Sequence, residues 1–243
     1  MQTTLCVNSM KTIDVCLSPE LLHLYNIQNK TVVVVDILRA TSCMVTAFAH
    51  GAESITPIAE WEECESMKTK GYIIAGERNG QKIAGFDKGN SPFEYMEDDI
   101  RGLKIAFTTT NGTQAIQKSK GARQIIIGSF LNLTAITRHL LMSAHDILIV
   151  CAGWKGKINL EDSLFAGALV EKLRKHIEPD CDAPVVAQEL YLSAKNDMLK
   201  FLSTSSHVKR LNKLNIHKDI EFCLTPDQYP VIPVLRRERL VLL

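Results

Sequence analysis

Short runs of β-branched and apolar residues alternate with helix-like segments along most of the sequence, and this alternation limits the fold more than any other feature. Residues 31–35, a threonine followed by four valines, have the unbroken apolar character of a strand that is buried on both faces. Helical segments between such strands are typical of β-α-β units. The sequence therefore predicts an α/β protein with mainly parallel or mixed sheets and flanking helices. A split into two α/β subdomains near residue 100 is an open alternative to one unit.

The element boundaries follow from apolar periodicity and from turn residues. Strands are predicted at residues 12–17, 31–35, 54–58, 72–75, 104–107, 124–128, 147–150, 220–224 and 231–235. Helices are predicted at residues 42–50, 60–70, 113–120, 133–143, 161–176 and 208–214, and from about residue 184 to residue 202. Residues 76–92 form a glycine-rich stretch without periodicity, and such long loops often carry function. Residues 1–9 are expected to be an extension outside the fold.

Composition and charge disfavour several classes of function. The net charge of +1 and the aromatic content of 6% give no support to a nucleic-acid partner. No apolar run approaches the ~20 residues that cross a membrane, and the first residues lack the features of a signal peptide. The seven cysteines are scattered, without a C-x-x-C pair, so we expect reduced thiols rather than disulfides or a zinc ribbon. A cytoplasmic protein is the expectation.

Four polar loops follow predicted strands: residues 36–42, 76–78 and 108–113, and residues 151–154 together with Glu161 and Asp162. In open α/β sheets, ligands bind at the carboxyl ends of the strands, so these loops are expected to converge on one crevice. Backbone N–H groups at the following helices favour an anion, and the paired donors of Arg39 and Arg78 suit a phosphate or a sulfonate. Carboxylates beside an anion require a counter-charge, which Mg²⁺ would supply.

Each loop also has a purely structural interpretation. Asp36 is placed to cap the helix that follows it, and Glu161 and Asp162 lie in a first helical turn, where acidic residues are favoured. Thr108, Thr109 and Thr110 are β-formers that lead into an Asn-Gly turn, and Arg78 is compatible with a solvated loop. The functional hypothesis gains weight because four such loops occupy equivalent places in the topology.

Common phosphate-handling motifs are absent from the sequence. There is no G-x-x-x-x-G-K-[S/T] loop, and no G-x-G-x-x-G follows a strand. Leu38 stands two places after Asp36, where an aspartyl-phosphate site has a second aspartate, and residues 151–157 end in lysine, where a cysteine phosphatase needs arginine. What remains is metal-assisted chemistry without a protein nucleophile.

Several ordered motifs resemble the 2-phosphosulfolactate phosphatase family. They are VVDILRATS at residues 34–42, GERNG at 76–80, GFDKGNSP at 85–92, TNGT at 110–113 and CAGWKG at 151–156, followed by Glu161 and Asp162. SHVKRL at 206–211, DIEFC at 219–223 and VIP at 231–233 continue the resemblance to the C-terminal part. The resemblance runs from about residue 10 to residue 233.

This resemblance implies an α/β protein that hydrolyses 2-phospho-3-sulfolactate to 3-sulfolactate and phosphate with Mg²⁺, a step of coenzyme M biosynthesis. A water molecule on the metal is the expected nucleophile. At the motif positions, the hypothesis assigns catalysis to Asp36, Arg39, Asn111 and His207, metal binding to Asp36 with Glu161 or Asp162, and substrate binding to Thr41, Ser42, Arg78, Asn90, Ser91, Thr109 and Thr110. Arg78, Asn90 and Ser91 are expected to hold the sulfonate or the carboxylate.

Two alternatives stay open. The same residues would serve a phosphatase or phosphotransferase that acts on another small anionic organophosphate. A non-catalytic anion-binding module would need the arginines but not the acidic residues. The expected partner is a small anionic phosphoester, with no nucleic acid and no membrane, and the sequence is compatible with a homo-oligomer.

Overall fold

The computed structural model describes residues 11–243, which build one mixed sheet with helices on both faces. The α/β prediction is confirmed. The predicted extension, residues 1–9, lies outside the described residues. The strands are β1 (Thr12–Cys16), β2 (Thr31–Val35), β3 (Ser54–Pro57), β4 (Ile73–Arg78), β5 (Gln81–Lys82), β6 (Lys104–Thr108), β7 (Gln124–Gly128), β8 (Ile147–Cys151), β9 (Glu178–Pro179), β10 (Pro233–Arg236) and β11 (Arg239–Leu242).

Helices lie between most of the strands up to residue 194, and three helices then follow one another before β10. They are α1 (Ala40–Ala49), α2 (Trp61–Ser66), α3 (Gly112–Lys118), α4 (Leu133–Met142), α5 (Leu160–Leu173), α6 (Asp182–Ala194), α7 (Met198–Leu202), α8 (Ser206–Asn212) and α9 (His217–Cys223). None of the helices in residues 11–243 is both long enough and apolar enough to cross a bilayer.

The sheet consists of two parallel blocks that a C-terminal hairpin joins. The strand order is β5-β4-β6-β3-β11-β10-β7-β2-β8-β1-β9. Strands β7, β2, β8, β1 and β9 run parallel to one another, as do β4, β6 and β3, whereas β10 and β11 pair antiparallel with each other and with their neighbours β7 and β3. The two parallel blocks consequently run in opposite senses along the sheet.

The junctions between the blocks are narrow. Strand β10 meets β7 through the pair Val234 and Ile126, and β11 meets β3 through Leu240 and Ile55. The right-handed twist of sheets accumulates from strand to strand across such a hairpin. The two blocks meet at one corner, where the first residues of α3, after β6, pack on the loop that follows β2. We attribute this meeting to the twist of the sheet. The sequence argument, which assumed one shared edge of a parallel sheet, did not include this geometry.

The centre of the sheet is buried on both faces, as predicted for β2. Val33 and Val35 pack into a cluster with Phe165 of α5, whereas Val32 and Val34 pack into a second cluster with Met44 of α1. Because successive side chains of a strand point to opposite faces, a run of apolar residues is what such a strand requires.

No cysteine within residues 11–243 forms a disulfide. Six cysteines lie within residues 11–243, all of them are free, and only Cys181 is exposed. Cys6 lies outside the described residues.

Three sequence predictions about elements need correction. Residues 220–224, predicted as a strand, belong mainly to α9, in which Ile220 and Cys223 are buried at helical spacing, and the buried Leu224 follows its last residue. The helix predicted to reach residue 202 divides into α6 and α7, because the carboxylate of Asp197 caps a new helix by accepting from the backbone N–H of Lys200 (2.9 Å). Part of the predicted 76–92 loop is a hairpin of β4 and β5.

The packing of α5 against α6 depends on Gly167. A Cβ atom at this position would lie 1.9 Å from the carbonyl oxygen of Ala187 and 2.8 Å from Cβ of Tyr191. We expect Gly167→Ala to lower the free energy of unfolding by about 2 kcal/mol, because the two helices must move apart. Urea unfolding measures this change, with Glu189→Ala on the exposed face of α6 as the control. Equal stabilities of the two variants would contradict the close packing.

Candidate active site

A cavity lies where β2, β4, β6 and β8 end, and α8 covers part of it. Its walls therefore come from both parallel blocks and from the C-terminal helices. The lining residues are Asp36, Leu38, Arg39, Glu77, Asn79, Gly80, Asn90, Thr110, Asn111, Trp154, Lys155, His207, Arg210 and Leu211. Six of the predicted site residues are among them: Asp36, Arg39, Asn90, Thr110, Asn111 and His207.

The loop after β2 holds Asp36 in place. The hydroxyl of Thr41 accepts from the backbone N–H of Asp36 (3.0 Å) and donates to its carbonyl oxygen (2.9 Å). The hydroxyl of Ser42 donates to the carbonyl of Ile37 (2.9 Å). A Cβ atom at Gly112 would lie 2.8 Å from Oδ2 of Asp36, so only glycine allows this close approach. Thr41 and Ser42 thus shape the loop and do not line the cavity.

Four carboxylates gather at this end of the sheet: Asp36, Glu77, Glu161 and Asp162. Burial raises the pKa of Asp36 well above its usual range, and the charges of Asp162, Glu77 and Glu161 raise it further, against an opposing effect of His207. Burial, with the charge of Glu161 beside it, raises the pKa of Asp162 to about 8. No lysine or arginine forms a salt bridge with any of the four within residues 11–243.

In two of these carboxylates, both oxygens accept hydrogen bonds from the protein. Asp162 accepts from the backbone N–H groups of Ile37 (2.8 Å) and Gly153 (3.0 Å) and so ties the loop after β2 to the loop after β8. Glu77 accepts from the N–H of Gly80 (2.6 Å) and from the N–H and hydroxyl of Thr110 (2.9 Å each). Both residues serve as clamps between loops.

The other two carboxylates keep free oxygens. Oε1 of the fully buried Glu161 pairs with Nδ1 of His207, but its Oε2 has no partner in the described part of the chain. The carboxylate of Asp36 accepts no hydrogen bond from residues 11–243. Buried polar oxygens without partners are rare in folded proteins and call for a ligand.

These oxygens would suit a magnesium ion that also binds phosphate oxygens. They do not form a complete set of protein ligands. Within residues 11–243, no three His, Cys, Asp or Glu side chains are arranged to ligate one metal ion. Mg²⁺, however, is usually bound by one or two carboxylates, with water and substrate phosphate oxygens completing its shell. Asp36 and Oε2 of Glu161 would be the two carboxylate ligands.

Arg39 is held rigidly at the cavity wall. Its Nη1 forms a buried ion pair with Asp219 of α9, and its Nη2 donates to the carbonyl of Gly80 (3.2 Å). The hydroxyl of Ser91 donates to the same Asp219 (3.1 Å), and Ser91 lines a neighbouring cavity together with Arg39 and Asn90. Asn90 lines the cavity, and its buried Oδ1 has no partner in the described residues.

Two other predicted substrate contacts have no support in this geometry. The guanidinium of Arg78 donates to the carbonyls of Glu77 (2.7 Å) and Ala59 (3.0 Å) and to the hydroxyl of Thr108 (3.0 Å), and it does not line the cavity. The hydroxyl of Thr109 accepts from the N–H of Thr113 (3.2 Å) at the start of α3. Both side chains maintain local structure.

No role at the site was predicted from the sequence for Glu77, Asn79, Lys155 or Arg210. In the structure, the ring of Trp154 stacks on His207, with 6.0 Å between ring centroids and 14° between the planes. Arg210 lies over the same ring at 5.1 Å. The i, i+3 spacing of His207 and Arg210 on α8 was a usable signal, because residues so spaced share a helix face.

An α/β sheet whose strand ends enclose carboxylates and arginines around one cavity is the architecture of an enzyme for an anionic substrate. The comparison of the sequence with family models makes this class specific. The model of the 2-phosphosulpholactate phosphatase family matches residues 16–238. The chain therefore belongs to this family, whose members are phosphoric monoester hydrolases.

Similar proteins cover nearly the whole chain. A probable 2-phosphosulfolactate phosphatase of Thermotoga petrophila is 44% identical over 209 residues, which are 86% of this chain and 90% of that protein. Proteins described in the same way from Caldanaerobacter subterraneus subsp. tengcongensis and Clostridium acetobutylicum are 41% and 37% identical, over 87% and 91% of this chain and 90% and 96% of their own lengths.

The role of Glu77 as a clamp can be tested by Glu77→Gln. A glutamine amide has one acceptor oxygen, so its NH₂ group would face a backbone N–H that the carboxylate now satisfies. We expect the free energy of unfolding to fall by about 1–3 kcal/mol. Chemical denaturation measures the change, with Glu189→Gln on the exposed face of α6 as the matched control. A variant as stable as the control would show that the clamp contributes nothing.

Proposed function

We propose that this protein hydrolyses 2-phospho-3-sulfolactate to 3-sulfolactate and phosphate with Mg²⁺ as its cofactor. The observation that carries the proposal is a cavity that Asp36, Glu77 and Arg39 line, with the buried carboxylates of Glu161 and Asp162 close to Asp36. Membership of the family and the descriptions of the relatives support the substrate.

The carboxylates favour an enzyme over a passive anion-binding module. The charges of Asp162, Glu77 and Glu161 raise the pKa of Asp36, and the charge of Glu161 raises the pKa of Asp162, so the ionised cluster would repel a phosphoester. A divalent cation reverses this repulsion and draws the phosphate to the same place. A module that only bound anions would gain nothing from such a cluster.

The metal would be held by Asp36 and by Oε2 of Glu161. Bound there, Mg²⁺ would supply Lewis-acid stabilisation of charge on the phosphoryl oxygens. Glu161 also holds Nδ1 of His207, so its two oxygens have separate tasks.

The phosphoryl group would be oriented by Arg39 and Asn111. The guanidinium of Arg39 is fixed by Asp219 and Gly80 before substrate arrives, so its donors need no reorganisation. Oδ1 of Asn111 accepts from the backbone N–H of Lys155 (3.2 Å), which leaves its amide hydrogens to donate to a phosphoryl oxygen. We assign the attack on phosphorus to water: no serine or cysteine among residues 11–243 lines the cavity, the hydroxyl of Thr110 donates to Glu77, and Asp36 and His207 have other roles.

His207 would complete the reaction by giving a proton to the leaving oxygen of sulfolactate. Its Nδ1 faces Glu161, and its Nε2 forms no hydrogen bond with residues 11–243. The neighbouring carboxylate and the stacked ring of Trp154 fix the orientation of the imidazole. An alkoxide is a poor leaving group, so proton donation at this atom matters for this substrate.

We expect Asp36→Asn to reduce kcat with Mg²⁺ by about 1000-fold or more, equivalent to about 4 kcal/mol, because a carboxylate ligand is lost. Phosphate release from 2-phospho-3-sulfolactate, measured with Mg²⁺ and after chelation by EDTA, gives the result. The wild type should lose activity on chelation and regain it with Mg²⁺.

Asp98→Asn, at a highly exposed side chain, is the matched control for this experiment. The far-UV circular dichroism of Asp36→Asn should equal that of the wild type. Full Mg²⁺-dependent turnover by the variant would remove Asp36 from the mechanism, and activity insensitive to EDTA would remove the metal.

We expect His207→Asn to reduce kcat for 2-phospho-3-sulfolactate by about 100-fold or more, because the leaving alkoxide loses its proton donor. With p-nitrophenyl phosphate, whose leaving group needs no proton, the loss should be below about 10-fold. Steady-state kinetics with both substrates measures the difference. Equal losses would contradict a role in leaving-group protonation.

A further inference from the structure

Arg210 is a cation at the cavity wall that has no role in the proposed reaction. It lies one helical turn after His207 on α8 and lines the same cavity. Unlike Arg39, it forms no salt bridge within the described residues. An arginine without a carboxylate, at the wall of a cavity for an anionic substrate, calls for an anionic partner.

Two nitrogens of the Arg210 guanidinium have no hydrogen-bond partner in the described residues. Nη1 donates to the carbonyl of Asn79 (3.2 Å) in the turn between β4 and β5. Nε is buried and has no partner in residues 11–243, and Nη2 forms no hydrogen bond there either. These two nitrogens form the side edge of the guanidinium, which binds two oxygens of one anion through parallel hydrogen bonds.

The side chain is also held in place. Its Cζ atom lies 5.1 Å from the centroid of the Trp154 ring, within the range of a cation–π contact. Together, the ring and the Asn79 carbonyl restrain the guanidinium at one position on the wall. A restrained donor selects an anion by position as well as by charge.

The substrate of the proposed reaction carries three anionic groups. Arg39, Asn111 and the carboxylate-bound metal would account for the phosphate. Arg78, the residue that the sequence suggested for the sulfonate, is occupied elsewhere in the structure. A sulfonate presents three oxygens in a tetrahedral arrangement and suits the fork of an arginine.

We propose that Arg210 binds the sulfonate of the substrate and determines the preference for a sulfonated phosphoester, with Trp154 as a positioning residue. This inference rests on the proposed phosphatase function. It adds which group of the substrate is recognised and by which side chain.

The experiment compares two substrates that differ only in the sulfonate: 2-phospho-3-sulfolactate and 2-phospholactate. We expect Arg210→Met to raise KM for the sulfonated substrate by about 10- to 100-fold, with kcat changed less than about threefold. The kcat/KM for 2-phospholactate, which keeps the carboxylate, should stay within about twofold of the wild type. For the sulfonated substrate, the KM of Arg210→Lys should lie between those of the wild type and Arg210→Met, because lysine keeps the charge but lacks the planar pair of donors.

Lys209→Met, on the exposed neighbouring residue of α8, is the matched control and should behave as the wild type. Trp154→Leu should raise KM for the sulfonated substrate in the same direction as Arg210→Met but by less. Equal losses of Arg210→Met on both substrates would overturn the proposal, since they would place Arg210 on the phosphate, on the carboxylate or in the fold.

A binding measurement separates this inference from the proposed function. If the wild type hydrolyses neither substrate, the proposed function fails, and calorimetric titration with 3-sulfolactate and with lactate then decides the role of Arg210. Binding of 3-sulfolactate that weakens at least about 10-fold in Arg210→Met, with lactate binding unchanged, would support sulfonate recognition. Equal binding of 3-sulfolactate by the wild type and Arg210→Met would overturn it.

Discussion

The repulsion among buried carboxylates is the interaction on which the site depends. Asp36, Glu161 and Asp162 lie at the end of the parallel block that contains β2 and β8, and each is almost fully removed from water. Backbone N–H groups offset part of the cost for Asp162, and His207 does so for Glu161. The carboxylate of Asp36 accepts no hydrogen bond from residues 11–243, although the charge of His207 favours its ionised form. The fold therefore holds together carboxylates whose ionised forms a bound cation would stabilise.

Positive charge is distributed differently from negative charge in the same cavity. Arg39 is already paired with Asp219, so it acts as a fixed array of donors more than as a net charge. Arg210 and Lys155 both lie near the Trp154 ring and have no carboxylate partner in the described chain. A protein with a net charge of +1 can thus present separate places for a cation and for anions within a few residues.

The sequence predicted the elements of the central sheet well because local pattern determines them. The valines of β2 carry their structure in a few neighbouring residues. The Asn-Gly turn after β4 is equally local, but it was predicted as part of an irregular loop. The helical state of residues 220–224 was missed, because Ile, Phe and Cys in a short segment suit a strand or a helix, and only packing distinguishes them. The antiparallel junction between the two blocks depends on contacts distant in sequence and has no local signal.

The sequence predicted many of the residues at the candidate site, but it did not predict where their side chains point. The motifs pointed to Asp36, Arg39 and Asn111, which do line the cavity. They could not show that Arg78 donates a hydrogen bond to the carbonyl of Ala59, or that both carboxylate oxygens of Asp162 accept from backbone N–H groups. Orientation of this kind depends on which loop lies opposite, and it becomes visible only when both blocks of the sheet are in place.

The hairpin of β10 and β11 gives the order of assembly a particular importance. It follows every other strand along the chain, yet it occupies the seam between the two blocks. During synthesis, each block can form its own hydrogen bonds before the hairpin is made. The orientation of the two blocks relative to each other is fixed only when the hairpin pairs with both. Pairings between residues so far apart in sequence form slowly. Catalytic competence would accordingly arise late, as one of the final events in the maturation of the polypeptide.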